Sequence, residues 1–544
     1  MTDTLNLRLR RLELLLFIAI MVLNVIPFIS LKIFPSLDGA SHLANANVIR
    51  HLLFSNNTFL PQFFSINPEP VPNWTGHAFL ALLMTIMPAW IAEKIMIALM
   101  LILMPFAFRR LIQTLSPGIP WLSYLIFPFT HSMFLIYGFY NFNISIILFL
   151  FTLNFFLRRK DRWVRFSNLL ILGLLLALTY FSHILTFGLL GISLLLWIIV
   201  SACNASMDDP EQRKRIVWGR ILKQSALLML SAIIPLALSA WFFTVRSSSG
   251  EIAYLPESEL FSKWIHLKPL RSMDGIAESK SIRFLAWLFI SLILFVMIRM
   301  QFLNTFHSRK HLNHEAGIPK AENTIYSFWF FIVFFGFLLL YMVAPDSFGS
   351  GSYISDRICF IALLILILWL SAMRIPVWIL ILAAMIGVGV NFKHVTVLKE
   401  KLTFHHPLAL ACSNASKKIP GNVQVLPVNM LHHFFTGHFA DYLATDKPVV
   451  MVYNYECSFG YFPLVWNKEK RPNYFIGDSL RPKDLYIPFE LEKGRPFRKV
   501  DYIFLLGTYD TTGQPFFITL DRILKEDATL VYQADSCQLF RIGR

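Results

Sequence analysis

Apolar residues in this chain come in long unbroken runs rather than in alternation. Runs at 14–33, 91–108, 119–137, 142–157, 166–181, 185–202, 226–245, 284–298, 325–343, 358–373 and 377–390 approach or reach the roughly 20 residues that a helix needs to cross a bilayer core. A further run, 78–88, has only about eleven residues before Pro88, short for a crossing. Basic segments at Arg109–Arg110, 158–165, 213–223 and 299–320 lie between the runs, and Arg8, Arg10 and Arg11 precede the first. If 78–88 lies along the interface, all of these basic segments fall on the side of the N-terminus, which the positive-inside rule favours. The pattern therefore predicts eleven spans, a cytoplasmic N-terminus and a C-terminus on the far side. The first run is long and lacks a small-residue cleavage site, so it reads as a retained helix rather than a signal peptide.

After residue 392 the pattern changes. Segments 423–427, 449–453, 502–506 and 529–532 are short and rich in β-branched residues, with Gly, Pro and Asp between them, which predicts strands. Residues 431–443 read as a helix, and 528–543 as a hairpin turning at 534–536. The predicted fold class is mainly α. A polytopic membrane helical bundle, 1–395, has an outer loop, 34–90, that carries juxtamembrane helices. A small extracytoplasmic α/β domain, 396–544, follows it.

Composition narrows the class further. With 544 residues, 56% of them hydrophobic, only 15% charged, and a mean hydropathy of +0.57, the chain falls outside the range of soluble domains, which carry about 25% charged residues. The formal charge of +16 does not call for nucleic acid as a partner, because the basic residues sit in short loops between apolar runs. The five cysteines show no metal-ligand spacing; Cys412, Cys457 and Cys537 leave room for one disulfide of undetermined pairing.

The same topology gathers the unusual polar segments on the outer face. The cytoplasmic loops hold no Gly-rich phosphate loop, so substrates are expected to be lipid-linked or extracytoplasmic. In Phe34-Pro-Ser-Leu-Asp-Gly-Ala-Ser-His42, Asp38 suits two compatible roles: the N-cap of a helix 41–54, or a general base. His42 fits a phosphate or metal partner or a surface residue. The proline-rich Asn67-Pro-Glu-Pro-Val-Pro-Asn-Trp-Thr-Gly-His77 adds His77 and a second carboxylate, Glu69, which either shares base and metal roles or is exposed between prolines. In Tyr137-Gly-Phe-Tyr-Asn-Phe-Asn143 an interfacial aromatic belt accounts for rings such as that of Tyr140, but not for Asn141 and Asn143, which are candidates for hydrogen bonds to a ligand. His183, between two runs, fits a turn residue or a phosphate partner. The Gly/Ser-rich stretch 345–357 ends in Asp356-Arg357. An arginine there suits bidentate phosphate binding, a lipid headgroup, or pairing with Asp356 or Asp346.

Several of these pieces together resemble the GT-C glycosyltransferases, multispanning enzymes that use polyprenyl-phosphate sugars. Protein O-mannosyltransferases and the lipid A aminoarabinose transferase are examples. The similarity rests on Asp38 after the first span, the interfacial segment 72–88, Ala92-Glu93-Lys94 opening the second span, and Arg357 opening a late one. The closing domain, with Asp501-Tyr-Ile-Phe-Leu-Leu506 and a terminal hairpin, also looks similar. The resemblance implies a catalytic Asp38, with His183 and Arg357 on the carrier phosphate. His42, Glu69, His77, Tyr140, Asn141 and Asp356 are the further candidates for substrate contacts. It implies a polyprenyl-phosphate sugar as donor, a glycan, lipid or protein as acceptor, and the bacterial inner membrane as setting. Many members carry paired acidic residues or an aromatic after the catalytic carboxylate, whereas here Gly39-Ala40-Ser41-His42 follows. A divalent metal is thus left open, as is whether Glu69 or Asp356 replaces the missing partner. The competing classes are a transporter, flippase or export component for lipid-linked glycans, and a non-catalytic membrane scaffold. Nearly charge-free span interiors and the lack of a visible repeat count against transport.

Overall fold

The computed structural model describes residues 2–204, 210–246, 252–272, 276–309, 321–349, 351–431, 433–467, 500–509 and 515–543. Among the described residues, eight helices are long and apolar enough to cross a membrane: Arg8–Ser30, Ala89–Leu115, Tyr140–Arg158, Ile184–Cys203, Ser279–Gln301, Thr324–Val343, Ile354–Ser371 and Val377–Lys418. Ile216–Ser231 and Ile233–Val245, bent by 73° at their junction, make a ninth if counted as one span. Large apolar side chains on them, such as Phe284, Trp287, Leu294, Leu339 and Met385, are exposed, as suits a surface facing lipid rather than water. The chain is a mainly α, multi-pass membrane protein.

Two of the eleven predicted runs fall short of a span. Residues 166–181 form the 17-residue helix Phe166–Ser182. The run 119–137 is broken into the 3-10 turn Trp121–Ile126 and the short helices Phe127–Thr130 and Met133–Ile136. Pro128 withholds an N–H there. The triplet Thr130-His131-Ser132 turns polar groups onto nearby backbone: Thr130 Oγ1 donates to Phe127 O at 2.7 Å, and His131 Nε2 lies 3.3 Å from Asn24 O. The ambiguous run 78–88 contributes the end of the 10-residue helix Trp74–Leu83, too short to cross.

The chain divides into two compact units. The first comprises Met1–Val25, Met100–Phe134 and Phe142–Leu398. Its buried charges are paired. Arg109 meets both carboxylate oxygens of Glu13, at 2.7 and 2.6 Å. Lys263 Nζ lies 2.8 Å from Asp356 Oδ2 and 3.3 Å from Asp346 Oδ1. Burial alone would lower the Lys263 pKa, but the carboxylates of Asp356 and Asp346 reverse this and raise it.

The second unit comprises Ile26–Leu99, Leu135–Asn141 and Lys399–Arg544. The predicted boundary at 395/396 lies inside the 39-residue helix Val377–Ala415, and the C-terminal part builds its unit together with the outer segment. Its five-stranded sheet has the order Val449–Met451, Val423–Asn429, Tyr502–Leu506, Cys537–Ile542, Ala528–Ala534. The first three strands are parallel, with Val423 opposite Val449 and Val425 opposite Tyr502. The last two form the predicted hairpin, which turns through Asp535 at φ 50°. Leu426, Val428, Ile503, Leu505, Phe517 and Leu520 form a core against one face. A separate antiparallel pair joins Phe64–Ile66 to Leu464–Trp466.

The helix expected at 431–443 is replaced by two 3-10 turns, Phe434–Thr436 and Phe439–Ala444; residue 432 lies outside the described residues. Local side-chain bonds compete with a helix here. His433 Nδ1 accepts from Phe435 N, and Asn429 takes both Leu431 N and Thr436 O. The disulfide allowed for among Cys412, Cys457 and Cys537 is not formed; all five cysteines are free.

The Lys263–Asp356 pair gives a direct stability test. Lys263→Met leaves a carboxylate buried without its cation and is expected to cost about 3–5 kcal/mol, whereas Lys263→Met with Asp356→Leu recovers most of the loss. Thermal unfolding of the purified variants in detergent measures both.

Candidate functional site

The second unit places Asp38 at the start of the helix Gly39–Phe54, in the N-cap position, yet its side chain makes no capping hydrogen bond. Ser36 does the capping instead: Gly39 N donates to Ser36 Oγ at 3.1 Å. The cap role expected of the Asp38 carboxylate is therefore held by another residue. Backbone bonds fix Asp38 on both sides, since its N donates to Tyr137 O at 3.0 Å and its O accepts from His42 N at 2.9 Å. Gly138, at φ +80°, makes this approach possible; a Cβ there would come within 2.8 Å of Gly39 N, and the left-handed backbone itself disfavours any other residue.

The Asp38 carboxylate turns toward His438, with Oδ1 3.7 Å from Nε2, and His438 Nδ1 is 3.7 Å from Asp441 Oδ2. The His438 ring rests against Tyr455, 4.4 Å between centroids. Burial would lower the His438 pKa, but Asp441 and Asp38 hold it above its ordinary value. Burial raises that of Asp441, with His438 opposing. The ring thus sits between two carboxylates, which favour its protonated form. The Asp38 side chain remains 15% exposed.

One turn along the same helix, His42 enters a buried triangle. His42 Nδ1 lies 2.8 Å from Glu456 Oε1, His77 Nε2 lies 2.8 Å from Glu456 Oε2, and the two ring nitrogens are 3.2 Å apart. The three residues are 5%, 1% and 1% exposed for His42, His77 and Glu456. His77 is placed by Asn73, whose left-handed backbone (φ 67°) starts the helix Trp74–Leu83 and whose carbonyl meets His77 Nδ1 at 3.1 Å. Asn141 locks that turn, donating to Asn73 O at 3.0 Å and accepting from Gly76 N at 2.7 Å. Ser41 Oγ donates to Glu456 Oε1 at 3.1 Å. Burial would raise the Glu456 pKa, yet His42 and His77 hold it far below the usual carboxylate range. For His42 burial acts downward, and Glu456 reverses it to a net rise. Beside the triangle, Tyr140 OH donates to the buried Glu93 carboxylate at 2.6 Å and lies 3.3 Å from Ser36 Oγ.

No protein-family model matches the chain, and no curated protein matches it either.

Of the residues singled out from the sequence, Asp38, His42, His77, Tyr140 and Asn141 come together in the second unit. Glu69 belongs to a half-buried loop in that unit, where its backbone N donates to Asn67 Oδ1 at 3.0 Å; the carboxylate that joins the histidines is Glu456. His183, Asp356 and Arg357 belong to the first unit. His183 is the single extended residue between two helices, and its ring lies 5.2 Å from that of Phe142. Arg357 stands over the same ring at 5.6 Å, while its Nη1 donates to Ser352 O at 2.5 Å. Asp356 pairs with Lys263 and is fully buried. Sequence reasoning missed Glu456, His438 and Asp441. The only local signal for Glu456 is a charged residue among the apolar and aromatic side chains of Val450-Met-Val-Tyr-Asn-Tyr-Glu-Cys457.

Because Ser36 rather than Asp38 caps the helix, Ser36→Ala is expected to cost about 1 kcal/mol. Asp38→Asn removes no cap bond and loses only the loose pairing with His438, so it should cost less, under about 1 kcal/mol. Denaturation midpoints in detergent compare the two; a larger loss for Asp38→Asn would make it the cap.

Proposed function

We propose that the protein is a glycosyltransferase of the GT-C kind, which moves a sugar from a polyprenyl-phosphate donor to an acceptor on the non-cytoplasmic face. The observation that carries this reading is the state of Asp38: a helix-start carboxylate relieved of capping by Ser36, partly exposed, and turned toward His438. Such a group suits general base catalysis. The acceptor proton passes to Asp38 as the acceptor oxygen or nitrogen attacks the anomeric carbon. The bond from that carbon to the phosphate oxygen breaks with inversion, and the polyprenyl phosphate leaves. His438 lies 3.7 Å from the Asp38 carboxylate, and its cationic form favours the charged state of a neighbouring carboxylate. Arg357 and His183 keep the role that the resemblance gives them, contact with the carrier phosphate. The loop charges support a cytoplasmic N-terminus, and the resemblance supports a bacterial inner membrane as the setting.

One observation favours a flippase as the second reading. Buried polar groups join within the apolar helices of the first unit: Asn391 Nδ2 donates to Asn24 Oδ1 at 2.8 Å, close to His131. Polar residues at such depth often mark pathways.

Reconstituted vesicles with a radiolabelled polyprenyl-phosphate sugar separate these readings. Asp38→Asn is expected to lower transfer about 10²–10⁴-fold, and Arg357→Ala to raise the donor concentration required. His438→Gln removes the cation beside Asp38, so the acid limb of the pH–rate profile should move to higher pH. Full transfer by a folded Asp38→Asn protein, or lipid translocation without transfer by the parent, overturns the transferase.

A further inference from the structure

We infer that His42, His77 and Glu456 are the ligands of a resident divalent transition-metal ion, with zinc the best match to the donor set. The three donor atoms already converge. Zinc bonds to imidazole and carboxylate are about 2.0–2.2 Å long, which at the tetrahedral angle sets neighbouring donor atoms about 3.3–3.6 Å apart. The observed separations of 2.8, 2.8 and 3.2 Å need to open by roughly half an ångström.

The surroundings of the rings point the same way. A histidine bound to a metal usually donates its other N–H to a carbonyl or carboxylate, which fixes the tautomer. His77 Nδ1 meets the Asn73 carbonyl at 3.1 Å, so neutral His77 turns the lone pair of Nε2 into the triangle. His42 brings Nδ1 into the triangle. Ser41 supports the carboxylate, as an outer partner of a ligand does. The two ring nitrogens and the two carboxylate oxygens crowd within 2.8–3.2 Å of one another in a nearly closed site. One divalent ion between them turns that crowding into coordination.

Two imidazoles and one carboxylate select zinc or a neighbouring first-row ion over magnesium or calcium, which take oxygen ligands. The ligands come from the helix Gly39–Phe54, the helix Trp74–Leu83 and the short helix Glu456–Phe459. The ion would clamp these three segments and hold the turn that carries Asp38, which makes it a positioning centre. This inference stands on ligand geometry and does not require the transferase reading.

The test uses full-length protein in detergent, stripped with a chelator and titrated with Zn²⁺ or Co²⁺. The wild type should take up one equivalent and gain thermal stability with it. Ser41→Ala should bind about 10-fold more weakly, and His77→Gln should neither bind stoichiometrically nor respond thermally to the ion. X-ray absorption at the zinc edge of the wild type needs no variant to fold. It should report a shell of nitrogen and oxygen at about 2.0–2.1 Å with imidazole scattering. A folded wild type that takes up no equivalent, or a first shell containing sulfur, overturns the site. A protein that transfers sugar but takes up no metal would overturn the site alone, and stoichiometric metal in a protein without transfer would overturn the transferase alone.

Discussion

A carboxylate removed from water must be neutralised where it sits, and Glu456 is buried to 1% exposure. Its two oxygens are matched by two histidines from segments 379 and 414 residues earlier (456 − 77 and 456 − 42). That requirement binds the outer segment to the C-terminal part of the second unit more specifically than apolar packing does. Moving any one of the three residues away leaves a buried charge or an unmatched ring nitrogen, so the triangle acts as a register mark for the whole unit. The strand pair of Phe64–Ile66 with Leu464–Trp466 and the bond from Asn47 to Ala444 O at 2.8 Å repeat the same association at lower stakes.

The fixed helix then determines what Asp38 can do. A carboxylate at a helix start is ordinarily consumed by backbone N–H groups. Ser36 takes over that task, Gly138 lets the backbone approach closely, and Tyr140 links Ser36 to the buried Glu93. The carboxylate is left facing the imidazole of His438 at the edge of the packed region. Reactivity here comes from what the neighbours remove from Asp38 as much as from what they add.

The long apolar runs, the terminal hairpin and four of the strands were legible in the sequence, because each rests on local periodicity and turn residues. So was the placing of Asp38 and His42 one helical turn apart. The break at Thr130-His131-Ser132 was not, because three polar residues inside an apolar run do not alter its average. The 3-10 turns at 434–444 follow from side-chain bonds at His433 and Asn429 that a helical reading of the composition overlooks. Glu456, His438 and Asp441 were invisible for a different reason. Their meaning lies in partners hundreds of residues away, and nothing local distinguishes them from ordinary polar residues of an α/β domain. The proline-rich outer loop offered Glu69 as a second carboxylate or as an exposed residue, while the carboxylate that joins the histidines, Glu456, comes from the other end of the chain.

The most direct measurement for the account as a whole is a cryo-electron microscopy structure of the protein with a polyprenyl phosphonate sugar, whose leaving bond cannot break. The account predicts the sugar at Asp38, with its anomeric carbon facing the space beside the carboxylate where an acceptor hydroxyl or amine would lie. A donor bound with its sugar remote from Asp38, and with His438 and Asp38 facing only solvent, would contradict it.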